Sequence, residues 1–187
     1  FRGFAGTVAS GVVKPGDEVL ILPSRKTSRV SRVVTFDGDL KQAFPPQAVT
    51  LVLEDEVDVS RGDMIVHPRN QPRVARRLEA MLVWMDETPL ELGKDYLIKH
   101  TTQSVRGRVE ALSYLVDVTT LSRRIDKGSM GLNEIGRVTL STHQPLYFDA
   151  YERNRATGRL ILIDPQTHAT VGAGMIIDRV PAGALAT

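Results

Sequence analysis

Apolar residues along this chain either alternate with polar ones or stand in short blocks, and both patterns break at Gly, Pro, Asn and Asp. Period two and bounded apolar blocks are strand signals, and sustained helical spacing is lacking. Thr7-Val8-Ala9-Ser10-Gly11 leads into Val12-Val13-Lys14-Pro15-Gly16-Asp17 and then Glu18-Val19-Leu20-Ile21-Leu22. Two short strands are expected there about a Pro-Gly-Asp turn, in which Pro presets φ and Gly permits positive φ. Arg29 to Phe36 alternates imperfectly and ends at Asp37-Gly38-Asp39, a hairpin-type turn. Val49 to Leu53 and Met64 to Val66 complete the set, the latter entered through Ser60-Arg61-Gly62-Asp63. Short strands spaced this way and bounded by turn residues predict a small closed barrel.

The stretch His67-Pro68-Arg69-Asn70-Gln71-Pro72-Arg73 holds two prolines and little to bury, so a domain boundary is expected there. The pattern restarts at Leu78 to Trp84, then Asp95 to His100. Gln103 to Asp117 reads as one extended or bulged strand with Val105, Val109, Leu112 and Leu115 apolar. Gly136 to Thr142, Gly158 to Asp164 and Thr170 to Val180 come next, while Leu121 to Leu132 reads as a loop. The expected architecture is all-β, two small closed antiparallel β-barrels over 1–70 and 74–180. Residues 181–187, small and patternless, are expected to be a tail or linker.

With 187 residues, 42% of them hydrophobic, the chain can bury a sizeable core, which argues against disorder. It has no Cys, which excludes a disulfide scaffold, a thiolate nucleophile and thiolate zinc sites, and fits a reducing, cytoplasmic setting. No apolar run approaches the roughly 20 residues of a membrane helix, so no membrane partner is expected. The opening Phe1-Arg2-Gly3-Phe4-Ala5-Gly6 is not a signal peptide, and a start in strand-like sequence without Met reads as a fragment. Net charge is only +2, which argues against a dedicated nucleic-acid binder. Arg outnumbers Lys 18 to 6, a bias that suits bidentate contacts and that high genomic GC content also produces.

A search for chemistry finds little. His67, His100, His143 and His168 are scattered, without the spacing of a metal site. Neither a Gly-x-Ser-x-Gly elbow nor a Gly-x-x-x-x-Gly-Lys-Ser/Thr loop is present. The run Glu54-Asp55-Glu56-Val57-Asp58 reads as a solvated face, and Arg61-Gly62-Asp63 as a strand-entry turn. No catalytic, cofactor or metal residue is therefore expected in this segment. The candidates are contact residues. Arg25, Lys26, Arg29 and Arg32 form the densest basic cluster of the first unit, with Arg106 and Arg108 a weaker pair in the second. Two readings stay open for them: a charged hairpin that keeps a barrel edge soluble, or a surface that meets an acidic partner or a polyphosphate.

Gly3 to Gly11, with Val13-Lys14-Pro15-Gly16-Asp17-Glu18-Val19, resembles the opening of the second domain of translational GTPases such as elongation factor Tu. Thr170-Val171-Gly172-Ala173-Gly174-Met175-Ile176 is similar to the strand that closes their third domain. Further segments narrow the branch: Thr35 to Leu40, Trp84-Met85-Asp86-Glu87-Thr88-Pro89-Leu90, Tyr96 to Thr102, Asn133 to Val138, and Asn154-Arg155-Ala156-Thr157-Gly158. Together they resemble the GTP-binding large subunit family of bacterial sulfate adenylyltransferase, from about Phe1 to Val180. One departure is Arg159, where a small residue is usual, and it bears on the local turn.

The resemblance implies a subunit that couples GTP hydrolysis to formation of adenylyl sulfate from ATP and sulfate. It implies partners: a GTPase domain N-terminal to Phe1 carrying GTP and Mg, and a small catalytic subunit where adenylyl transfer occurs. The family also includes fusions to adenylylsulfate kinase, so the sequence beyond Thr187 distinguishes a lone subunit from a fusion. The alternative is the barrel half of a translation factor that holds aminoacyl-tRNA; the near-neutral charge and the sulfate-branch segments favour the first, with no nucleic-acid partner.

Overall fold

The computed structural model describes residues 1–125 and 128–181. Among them the regular structure is strand, with no α-helix, and the chain divides into two compact units, Phe1–Gln71 and Pro72–Thr187. The tail expected over 181–187 lies, beyond Pro181, outside the described residues.

The first unit contains β1 (Phe4–Thr7), β2 (Glu18–Leu22), β3 (Thr27–Thr35), β4 (Gly38–Leu40), β5 (Ala48–Leu53) and β6 (Met64–Val66). They pair antiparallel in the order β1-β5-β3-β2-β6, with β4 on β3. The imperfect alternation of β3 has a physical cause. The register shifts between Val30 and Arg32, a bulge that lets both Val30 and Val33 face inward although they are three residues apart. Their core partners are Val19, Ile21, Ala43, Val49, Leu53 and Val57. Among the described residues no ladder joins β6 to β1, so strand pairing does not close this sheet. Arg2 spans toward that region instead, its Nη2 donating to the Val57 carbonyl at 3.2 Å and to Asp58 Oδ1 at 2.9 Å.

One turn recurs at strand starts. In Lys14-Pro15-Gly16-Asp17 the Asp17 N–H donates to the Lys14 carbonyl at 3.2 Å, Gly16 has φ 91°, and Asp17 Oδ2 accepts from the Lys14 N–H at 2.9 Å. Ser60-Arg61-Gly62-Asp63 repeats it, with Gly62 at φ 101° and Asp63 Oδ2 accepting from Ser60 N–H at 2.8 Å. The Arg-Gly-Asp tripeptide is thus a folded turn whose carboxylate is already engaged. Gly131-Leu132-Asn133-Glu134 repeats it in the second unit, with Asn133 at φ 64° and Glu134 Oε2 accepting from Gly131 N–H at 2.7 Å. Positive φ at the third position defines the turn, and Gly or Asn is what tolerates it.

The second unit holds β7 (Arg73–Trp84), β8 (Asp95–His100), β9 (Gln103–Val116), β10 (Arg123–Arg124), β11 (Ile135–Phe148), β12 (Arg159–Ile163) and β13 (Thr170–Arg179). The path β9-β11-β7-β13-β12-β8 returns to β9, so six antiparallel strands close a barrel, and β10 pairs onto β9 outside it. Leu78, Ala80, Leu82 and Trp84 line β7 at alternate positions and are at most 2% exposed. Trp84 meets Tyr96 edge to face, ring centroids 5.7 Å apart. The Val-Gly-Ala-Gly segment acquires a packing reason: a Cβ on Gly174 would lie 2.8 Å from Leu160 Cδ1, and one on Gly172 3.2 Å from Leu82 Cδ1. Small positions on β13 make room for large ones on its neighbours.

Several boundaries differ from those expected from the sequence. β1 covers Phe4–Thr7 rather than the Thr7–Gly11 stretch, and the β3–β4 turn residues are Phe36 and Asp37, since Thr35 pairs with Gly38. β7 begins at Arg73, where the polar stretch reads as linker, because only every second residue there needs to face inward. β11 runs on to Phe148 past a register shift between Ser141 and Leu146. Within the stretch read as a loop, Arg123–Arg124 form β10 on the edge of β9. β9 is bulged as expected, with shifts opposite Arg137/Val138 and Thr139/Leu140.

Candidate interaction surfaces

The four basic candidates of the first unit, Arg25, Lys26, Arg29 and Arg32, do not form one free patch. Arg25 sits in the β2–β3 turn at φ 59°, its Nη1 donating to Gln71 Oε1 at 3.4 Å, beside exposed Lys26. Arg29 faces outward on β3 and donates from Nη1 to the Gly16 carbonyl at 2.7 Å, bracing the recurrent turn. Arg32 grips Asp39 with two parallel hydrogen bonds, Nε–Oδ2 at 2.7 Å and Nη2–Oδ1 at 2.8 Å. That hydrogen bonding raises the Arg32 pKa and lowers that of Asp39, so this pair stays ionised. Arg29 and Arg32 have intramolecular work; Arg25 and Lys26 form the open hairpin tip. Arg106 and Arg108 both point outward from β9, two residues apart, opposite Leu97 and Asp95 of β8.

The titratable groups of the second unit are structural where they are buried. His100 is 1% exposed, with Nε2 2.7 Å from the Thr157 carbonyl. A carbonyl only accepts, so Nε2 carries the proton and Nδ1 is a bare buried lone pair without a partner. Burial pushes the His100 pKa down, which fits a neutral ring. Thr157 in turn donates to Asp149 Oδ2 at 2.9 Å. Asp164 accepts from the Gln166 and Thr167 N–H groups at 2.8 and 3.0 Å and from Lys94 Nζ at 3.0 Å. The Thr167 N–H, then Lys94 and Gln166, bring its pKa down to about 2. His67 Nδ1 accepts from the Arg69 N–H, and His143 Nε2 lies 3.6 Å from Asp95 Oδ1. Among the described residues no three metal-ligating side chains gather.

The feature that sequence reasoning missed lies on the outside of the second barrel. A groove of about 460 Å³ crosses β8, β12, β13 and β7, lined by Lys99, Arg159, Ile161, Ala173, Met175 and Val83 among others, with Tyr151 and Ala156 on the loop before β12. Cross-strand register sets Ile161 between Lys99 and Ala173, Ala173 beside Val83, and Arg159 beside Met175. A signal was available in the unbroken apolar runs Leu160-Ile161-Leu162-Ile163 and Met81-Leu82-Val83-Trp84. A barrel strand needs apolar residues only on its inner face, so a continuous run marks an outer face that is also apolar.

Comparison with known proteins covers both units. A family model described as GTP-eEF1A C-terminal domain-like matches residues 77–177, and one described as elongation factor Tu domain 2 matches residues 5–66. The chain is 54% identical to sulfate adenylyltransferase subunit 1 of Bacteroides thetaiotaomicron, over 96% of this chain and 39% of that protein. It is 56% identical to the bifunctional enzyme CysN/CysC of Rhodopirellula baltica, over 96% of this chain and 28% of that one. The corresponding Mycobacterium tuberculosis enzyme is 50% identical over 97% of this chain and 30% of its own length. The chain therefore spans well under half the length of these relatives. Among solved structures, sup35 complexed with GDP superposes with a TM-score of 0.84 at 18% identity, covering 95% of this chain and 44% of that one, a likeness of fold. The expected likeness to the sulfate adenylyltransferase large subunit thus extends over nearly the whole chain, and the chain belongs to the GTP-eEF1A C-terminal domain-like family, with an elongation factor Tu domain 2 preceding that domain.

Proposed function

We propose that the two units are the non-catalytic β half of the GTP-hydrolysing subunit of a sulfate adenylyltransferase. The subunit would couple GTP hydrolysis to formation of adenylyl sulfate from ATP and sulfate. The observation that carries this reading is 50% to 56% identity, over almost the entire chain, to proteins named for that activity. The translation-factor alternative has behind it the two family models named for elongation factors, whose domains both readings share, and a likeness of fold at 18% identity.

In this reading GTP and its Mg bind a domain N-terminal to Phe1, and adenylyl transfer takes place on a small catalytic subunit. In fused forms an adenylylsulfate kinase domain comes after Thr187. The cytoplasm, which supplies ATP and GTP, is the expected setting. The barrels contribute mechanics. A close-packed core inside a closed ladder does not yield by small increments, so the second unit moves as a body when one rim is displaced. Ordering of switch loops around a γ-phosphate is the kind of event that supplies such a displacement. The coupling it transmits is limited to the difference in affinity between the two arrangements.

The test uses the full-length protein. It is expected to co-purify with a small adenylyltransferase subunit, and adenylyl sulfate formation by the pair is expected to rise with GTP and stall with a non-hydrolysable analogue. Co-purification with aminoacyl-tRNA, or synthesis indifferent to GTP, overturns the reading.

A further inference from the structure

The groove on the second barrel has a chemistry that its fold does not use. Its floor of Ile161, Ala173, Met175 and Val83 is apolar, yet these side chains lie outside the barrel while Leu82, Leu160 and Leu162 fill the inside. Leaving them in water forfeits about 25 cal/mol for each Å² that a partner could cover.

The cations at its border are equally uncommitted. Arg2, Arg32, Arg73, Arg137 and Lys94 each hold a carboxylate. Among the described residues Lys99 and Arg159 hold none, although they flank the same apolar floor on adjacent strands. Arg155 beside them rests over the Tyr151 ring at 5.9 Å. A purely apolar ligand would partly desolvate these cations without pairing them, which is costly. A nucleic-acid backbone would pair them and leave the aliphatic floor unused, and the ring in the lining, Tyr151, already has Arg155 over it. All four strands are paired on both sides, so no added strand can bind here by main-chain hydrogen bonds. An apolar centre with a charged rim is the anatomy of a protein interface.

We propose that the groove across β8, β12, β13 and β7 docks an acidic, apolar peptide segment of a partner protein. Its apolar side chains cover Ile161, Ala173, Met175 and Val83, and its carboxylates pair with Lys99 and Arg159. The site is a property of this barrel alone and does not rest on the sulfate reading.

The probe is a short fluorescein-labelled peptide in which Leu and Phe alternate with Glu, titrated against the full-length protein by fluorescence anisotropy. Saturable binding is expected, with hydrogen-exchange protection confined to β7, β8, β12 and β13. The double variant Lys99→Glu/Arg159→Glu is expected to weaken it at least about tenfold, as for loss of close charge pairs at an interface. Met175→Asp tests the floor independently and is expected to weaken binding by a similar factor. Both variants change outward-facing side chains, and an unchanged melting temperature verifies their folding. No binding, equal affinity for the charge-reversed protein, equal affinity for the same peptide with Lys in place of Glu, or displacement by a single-stranded RNA oligonucleotide each overturns the proposal.

Discussion

Asp164 and His100 sit in one barrel, and both make it less stable in acid, although one is anionic and the other neutral at pH 7. The Asp164 carboxylate is held by two backbone N–H groups and Lys94, and its pKa falls from 3.8 to about 2. A lowered carboxylate pKa contributes stability that is complete above the unfolded value and disappears as pH falls through the folded one. Asp164→Asn is therefore expected to lower the melting temperature by a few degrees at pH 7, with the wild-type and variant curves converging between pH 3.8 and 2. Curves that stay parallel in that window would assign the loss to packing. His100 is the reverse case in charge but not in direction. Burial lowers its pKa from 6.5, so below that pH the unfolded chain takes up a proton that the folded ring refuses. Stability then rises with pH up to 6.5 and falls as pH drops beneath it. His100→Gln keeps a donor within reach of the Thr157 carbonyl without a titrating ring; urea melts from about pH 7.5 to 5 should show a shallower decline than wild type. An identical slope would remove His100 from the acid response.

At the level of elements, the Pro-Gly-Asp and Arg-Gly-Asp turns were the most legible parts of the sequence and the register shifts outside β9 the least. Pro15-Gly16-Asp17 and Gly62-Asp63 announce a positive φ that only a few residues tolerate, so their conformation is written locally. The register shift in β3 and the far half of β11 are set by which neighbour a residue meets across the sheet, and no local pattern encodes that. The basic cluster shows the same division. Its residues were visible, but the partner of Arg32 is Asp39 across the β3–β4 hairpin, and that of Arg29 is a carbonyl in the preceding turn. The groove was written in the sequence only as apolar runs longer than a one-sided strand requires. Gly158 offers a test of local necessity. A Cβ there would lie 2.4 Å from Tyr151 Cα and 2.6 Å from its nitrogen, both backbone atoms that cannot swing away. Gly158→Ala is expected to cost about 1–3 kcal/mol, the range for forced overpacking, read as a shift of the denaturant midpoint at unchanged slope. A neutral result would show that the loop before β12 relaxes freely, and would remove the clash as the reason for this glycine.

For the whole molecule, the sequence disclosed the class, two all-β units, more fully than the way each sheet ends. Closure of the second unit depends on β8 meeting both β9 and β12, a pairing between strands remote in sequence. The first unit has strands of the same kind, yet its three-residue β6 and four-residue β1 are not joined by a ladder among the described residues. The proposed function rests on resemblance and not on chemistry, because docking surfaces carry no fixed spacing of reactive groups. The experiments on the full-length protein and on the groove therefore address separate matters, the proposed coupling and what the second barrel holds.

The first and last strands of the closed barrel are neighbours. β13 runs antiparallel to β7, Arg179 lies opposite Leu78, and the Val180 N–H donates to the Arg77 carbonyl at 3.0 Å. The polypeptide consequently leaves this unit one strand spacing, roughly 5 Å, from Arg77, on the rim where β7 starts four residues earlier at Arg73. Tension along a longer chain would not be shared by six strands; it would open the β7–β13 seam one hydrogen bond at a time, like a zip pulled from its end. Because β7 and β13 meet at one rim, chain can be joined to either end of this unit without reordering its strands.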